Sequence, residues 1–187
     1  QVQRLWVRVV AIEQRWRWIR FPVCLFALSR AALFGLSAVS MRLLPVLFQY
    51  EERRQQFLRA YPMLDGLCRW DCGLYLRIAR AGYRHHLDAN IWPLYPLCSR
   101  VLSELTGLPL HFSLLFVSNA ASIVSFVVIY RIFLRLEEER SAKVALCLFA
   151  AYPFAFFQAA GYAESLMVLG SALAIALAMS GRHIPAG

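Results

Sequence analysis

Long apolar runs alternate with arginine-bearing stretches along this chain of 187 residues, and the alternation has a helical period. Over residues 1–20, Leu5, Val9, Ile12, Trp16 and Ile19 form one stripe and Arg4, Arg8 and Arg15 another. That is a basic amphipathic helix, which, with Trp6, Trp16 and Trp18, suits the headgroup layer; the alternative is a solvated tail. Residues 21–41 are the first predicted span. Arg30 in its middle is expensive in lipid, so it faces protein or water as a counter-charge to Asp71, Glu164 or a ligand phosphate. Otherwise the span runs over 31–48 and Arg30 lies at the interface. A basic segment before an apolar run also describes a signal peptide, with Ala38-Val39-Ser40 as its cleavage site, but Arg30 argues against it.

Residues 42–109 hold most of the remaining charge, and Pro45, Pro62, Pro93, Pro96 and Pro109 divide them into short helices and turns. Glu51 to Arg59 reads as a charged helix. From Arg69 to Tyr83, Trp70, Leu74 and Ile78 recur every four residues, and Arg69, Arg77, Arg80 and Arg84 form a second stripe. The spacing predicts a helix lying on a bilayer surface, apolar side down and arginines toward phosphates. The two prolines around Tyr95 predict a rigid extended or re-entrant piece rather than a plain helix, with Trp92 and Tyr95 at the membrane–water boundary. Residues 110–136 are the clearest span, with Asn119 as its lone amide. Residues 144–160 form a short third span broken at Pro153, and residues 164–180 an alanine-rich fourth. The expected fold is an all-α polytopic membrane protein, with about four transmembrane helices and interfacial helices in a long first external loop.

Composition agrees: 60% of the residues are hydrophobic, too many for a soluble domain with runs of this length. The net charge of +9 rests almost wholly on arginine, since Lys143 is the only lysine. These arginines flank or punctuate apolar runs, so lipid phosphate rather than nucleic acid is the partner they imply. Positive charge at the N-terminal helix, at Arg135, Arg140 and Lys143, and at Arg182 places those parts on the cytoplasmic side and the 42–109 loop outside. Cys68 and Cys72, one helical turn apart, are poor disulfide geometry, and no C-x-x-C or zinc spacing occurs, so neither a disulfide framework nor a metal site is expected.

On this topology Asp71 and Glu164 share the external side and can converge on one cavity. A carboxylate there can take a proton from an attacking hydroxyl while nearby arginines stabilise a leaving phosphate. The plainer alternative is that Asp71 caps its helix or pairs with Arg69, and that Glu164 caps the last span.

Three motifs bear on that choice: Trp70-Asp71 followed by Tyr75-Leu76-x-Ile78-Ala79-x-x-Gly82-Tyr83, then Pro93-Leu94-Tyr95-Pro96, then Tyr152-Pro153-Phe154-x-Phe156-Phe157 leading to Tyr162-Ala163-Glu164-Ser165. With these, residues 69–187 resemble the PIG-V-like mannosyltransferases (the GPI mannosyltransferase 2 family), membrane glycosyltransferases of GT-C type. Arg30, following a serine, is similar to the same family. The resemblance implies inverting transfer of mannose from a polyprenyl-phosphate-mannose donor on the extracytoplasmic face, without a cofactor or metal, and with Asp71 as base. Glu164 is the second acid, in an element that carries Ala163 where the family shows threonine. Arg30, Arg69, Arg77, Arg80, Trp70, Tyr75, Tyr95 and Tyr162 are the candidate phosphate or substrate contacts. The turn at 84–90 resembles bacterial members, which implies the bacterial inner membrane; a eukaryotic member would lie in the endoplasmic reticulum membrane. Family members are longer, so the chain is expected to be an N-terminal fragment. The alternatives are a truncated, non-catalytic membrane protein that partners another subunit through its fourth span, and a transporter fragment, against which no internal repeat is visible.

Overall fold

A computed structural model describes residues 17–44 and 61–181. Most of the expected N-terminal helix, residues 1–16, and the charged helix over Glu51 to Arg59 lie outside the described residues. Six α-helices make up the rest: α1 (Arg20–Leu43), α2 (Cys72–Ala81), α3 (Leu94–Thr106), α4 (Leu110–Leu136), α5 (Glu139–Ala151) and α6 (Glu164–Met179). Short 3-10 turns at Arg17–Ile19, Pro62–Leu67, His86–Asn90 and Pro153–Gln158 punctuate them. Among the described residues there is no strand.

The long apolar helix α4 is the axis. It packs most extensively on α6, and also against α1, α2, α3 and α5. Its buried side carries Ser113, Ser118, Ser122 and Ser125, small enough to let neighbouring helices approach closely. Two helical stretches, Arg17–Leu43 and Leu110–Leu136, are long and apolar enough to cross a membrane. At 1.5 Å per residue the second is about 40 Å long, more than the hydrocarbon thickness.

The other two expected spans do not reach the length of a full transmembrane helix. The third is two pieces rather than one helix. Tyr152, forced toward extended geometry by the following proline (ψ 132°), ends α5, and Pro153–Gln158 continues as a 3-10 turn. The fourth, α6, is apolar but only 16 residues long. The Pro93–Pro96 segment also departs from expectation. Pro93 sits at the N-cap of α3 and Pro96 in its first turn, where a missing N–H costs nothing, so the helix starts there instead of being excluded. Arg30 lies inside α1, not at its end, and faces α4, which removes the 31–48 register.

The bundle has two chemically distinct ends. At one, Phe21 meets Tyr130 (centroids 5.3 Å apart), Arg131 lies over Trp18 at 5.0 Å, and Arg135 donates to the Ser180 hydroxyl at 3.1 Å. Arg140 and the Lys143–Glu139 ion pair (2.6 Å) are carried by the adjoining α5. The other end is closed by Pro62–Leu67, whose Gly66 lies so tightly on α1 that a Cβ there would fall 2.5 Å from the Ser37 hydroxyl.

Between Gln158 and Glu164 the chain is not helical, and α4 satisfies its carbonyls. Asn119 donates to the Ala159 carbonyl at 2.9 Å and Ser118 to the Tyr162 carbonyl at 2.8 Å. Asn119→Leu is expected to lower stability by about 1–3 kcal/mol, the penalty for an unsatisfied buried carbonyl, measured by denaturant unfolding in detergent micelles.

Candidate active site

The turn Arg69-Trp70-Asp71 joins the Pro62–Leu67 segment to α2. Trp70 has φ +44°, the sole positive φ outside glycine among the described residues. A bulky side chain adopts that conformation only when its surroundings impose it. Four contacts do so here. The Leu67 carbonyl accepts from the Gly161 amide at 2.8 Å, and the Arg69 carbonyl from the Tyr162 hydroxyl at 2.5 Å. Arg69 forms an ion pair with Asp65. Cys68 and Cys72 are joined by a disulfide with Cα atoms 5.1 Å apart. The disulfide overturns the expectation from spacing. The two cysteines do not share one continuous helix: Cys68 ends a 3-10 turn, α2 begins at Cys72, and the reversal at Trp70 brings them together.

Asp71 therefore stands at the N-cap of α2, but its side chain makes no capping bond and is exposed. Neither plain reading of it holds, since Arg69 is occupied by Asp65. Trp70 projects beside it, 69% exposed. The inward face of α2 is Cys72, Ile78 and Ala79. The predicted Trp70–Leu74–Ile78 stripe is thus split, because Trp70 precedes the helix and Leu74 is exposed. The apolar side of α2 packs on α3 and α4.

Glu164, the first residue of α6, reaches the same place from the other side. Its Oε2 is buried and makes no hydrogen bond. Burial raises its pKa above the usual carboxyl range, the Asp71 charge raises it further, and a hydrogen bond from its own backbone opposes them. Tyr75 feels the charge of both acids. Burial, then the charges of Glu164 and Asp71, push its phenol up to about 12, against a backbone hydrogen bond from Ala163. Tyr75 also packs edge-on against Tyr95 at 4.9 Å. The structure thus brings Asp71, Tyr75 and Glu164 together: an exposed carboxylate, a neutral phenol and a half-buried carboxyl that holds its proton more tightly than usual.

The remaining predicted contacts, Arg80 apart, are engaged elsewhere. Arg77 makes a two-pronged pair with Asp88, one contact being 3.1 Å. Burial disfavours the charge on Asp88, but the Arg84 and His85 amides and Arg77 outweigh it and hold the carboxyl at about 2. Arg80 is exposed on α2. Tyr95 is buried rather than interfacial; its hydroxyl donates to the Leu114 carbonyl and meets Ser118, both at 2.9 Å. Tyr162 is buried and spends its hydroxyl on the turn. Arg30, 5% exposed, donates to Ser122 at 2.5 Å and lies over the rings of Phe26 (4.9 Å) and Phe126 (5.7 Å), so its hydrogen bond goes to α4 and not to either acid. Gly161, Asp65 and Asp88 escaped the sequence reading. A Cβ at Gly161 would lie 2.7 Å from the Cys72 sulfur, a close approach that a glycine beside a predicted break can signal. Among the described residues no group of three His, Cys, Asp or Glu side chains is placed to hold a metal ion.

The family model described as Mannosyltransferase (PIG-V) matches residues 55–186. The GPI alpha-1,6-mannosyltransferases 2 of Mus musculus, Rattus norvegicus and Cricetulus griseus are each 35% identical to the chain over 114 residues, covering 56% of it and 23% of their own length. The chain thus spans about a quarter of these curated relatives. No solved structure matches it.

Because Asp88 has a lowered pKa, its contribution to stability is complete above about pH 4, the unfolded carboxyl value, and is lost as pH falls toward 2. Asp88→Asn is expected to remove that part of the acid destabilisation, measured as unfolding midpoints between pH 5 and pH 2.

Proposed function

The chain belongs to the mannosyltransferase (PIG-V) family, and from that premise we propose that it carries the base-bearing part of a membrane glycosyltransferase in which Asp71 activates the acceptor. Asp71 takes the proton of an acceptor hydroxyl as the oxygen attacks the anomeric carbon of mannose. The bond from that carbon to the phosphate of a polyprenyl-phosphate donor breaks, and the configuration inverts. Glu164 acts as the second acid. A carboxyl that burial, and further the Asp71 charge, holds above its usual range can keep its proton beside the base.

The observation that carries the reading is the exposed Asp71 carboxylate, held on a braced turn within the field of the half-buried Glu164. Arg80, exposed on α2, is the candidate for the leaving phosphate, because Arg69 and Arg77 are paired with Asp65 and Asp88. Trp70 suits the lipid boundary or a sugar face. Two observations support an extracytoplasmic position for this end. A disulfide belongs to an oxidising compartment, and the opposite end carries Arg131, Arg135, Arg140 and Lys143.

In full-length protein reconstituted with polyprenyl-phosphate-mannose, Asp71→Asn is expected to lower transfer about 100-fold or more, with membrane insertion unchanged. Glu164→Gln, which keeps a neutral side chain, is expected to lower it less, by about tenfold. Full activity of the Asp71 variant would refute the assignment. It would favour the non-catalytic alternative, an assembly partner using the exposed Met167, Leu173 and Ile175 of α6.

A further inference from the structure

We propose that the Cys68–Cys72 disulfide is a positioning element for the acid pair: it fixes the Asp71 turn and forms the floor on which the Gly161 loop rests, so the placement of Asp71 against Glu164 depends on it. The inference builds on the reading of these two acids as the reactive carboxyls.

The bond encloses Arg69, Trp70 and Asp71, so the acid and the strained residue both lie inside one small covalent ring. Trp70 at φ +44° tends to relax toward negative φ, and relaxation would rotate the peptide that carries Asp71. The sulfurs have no spare room. Cys72 is fully buried, Cys68 nearly so, and Gly161 approaches Cys72 until a Cβ would stand 2.7 Å from its sulfur and 3.7 Å from its Cβ. Two thiols cannot keep the separation of two bonded sulfurs, so breaking the bond moves at least one of them. On the Cys72 side the displaced atom meets Gly161.

Movement passes on from there by direct contacts. The Gly161 amide is bonded to the Leu67 carbonyl (2.8 Å) and the Tyr162 hydroxyl to the Arg69 carbonyl (2.5 Å), so the turn and the loop shift together or part. Glu164 follows two residues after Tyr162. Cys24 and Cys147 are unpaired and exposed on α1 and α5, and Cys98 is unpaired on α3, so the positioning role falls to this one pair.

The test uses full-length protein in lipid nanodiscs, before and after a phosphine reductant. The reductant supplies two electrons and becomes its oxide, the sulfur–sulfur bond breaks, and two thiols form with protons from water. The mass of the alkylated peptide bearing Cys68 and Cys72 reports the state of the bond. Reduction is expected to lower kcat about tenfold or more while KM for the lipid-linked sugar stays within about twofold, as for a misplaced reacting group. It is also expected to speed amide hydrogen exchange at Gly161 and over 73–77. The Cys68→Ser/Cys72→Ser protein should start at the lowered kcat and ignore the reductant. Gly161→Ala, with the bond intact, should lower kcat from the other side. Unchanged kcat or unchanged exchange after complete reduction overturns the proposal, as does a peptide found reduced in protein isolated without reductant. If no state transfers sugar, that counts against the proposed activity, while hydrogen exchange still decides whether the bond holds turn and loop together.

Discussion

A helix that breaks inside an apolar bundle leaves carbonyls that water cannot reach, and each must find a donor in the protein. The break between Pro153 and Glu164 is satisfied from α4, by Asn119 at Ala159 and by Ser118 at Tyr162, and Ser165 bonds the Gln158 carbonyl at 2.9 Å. This side-chain ladder fixes the depth of the loop. The loop then fixes the turn, through the Gly161 amide and the Tyr162 hydroxyl, and the turn presents Asp71. Remove the ladder and the two acids lose their common frame, although neither acid takes part in it.

The arginines divide by task. Arg30 ties α1 to α4 in the bundle interior, bonded to a serine and faced by two phenylalanine rings rather than by a carboxylate. Arg69 and Arg77 neutralise Asp65 and Asp88, both buried, and so brace the segments before and after α2. Such pairs resist removal of one partner, because the survivor is left as a buried charge. Asp71 and Glu164, by contrast, form no ion pair with an arginine among the described residues, and Glu164 feels the Asp71 charge. Burial and the Asp71 charge make Glu164 hold its proton more tightly than an ordinary glutamate.

Much of this was legible from periodicity. The boundaries of α4 match the expected 110–136 span, and Asp71 and Glu164 stand out in the sequence because the expected topology puts both on one side and the family-like motifs carry both. Of the two readings of Arg30 the energy of a charge in lipid favours the inward one, which the structure shows with a serine and two rings as partners instead of an acid. What escaped depended on contacts between residues far apart in sequence. The Cys68–Cys72 spacing excludes a disulfide only if both lie on one helix, and the Trp70 reversal is invisible to a helical template. Pro96 looked like a breaker because its place in the first turn of α3 was not known. Arg69 and Arg77 looked like a phosphate-facing stripe because their partners, Asp65 and Asp88, stand off α2.

The claim that Asp71 and Glu164 share one electrostatic site is tested most directly by infrared titration of the carboxyl C=O stretch in detergent-solubilised protein, with Glu164→Gln identifying the Glu164 band. The account predicts that Glu164 titrates above the ordinary glutamate range and moves down when Asp71 is replaced by asparagine. A Glu164 band at the ordinary value, or one that stays in place when the Asp71 charge is removed, would contradict it.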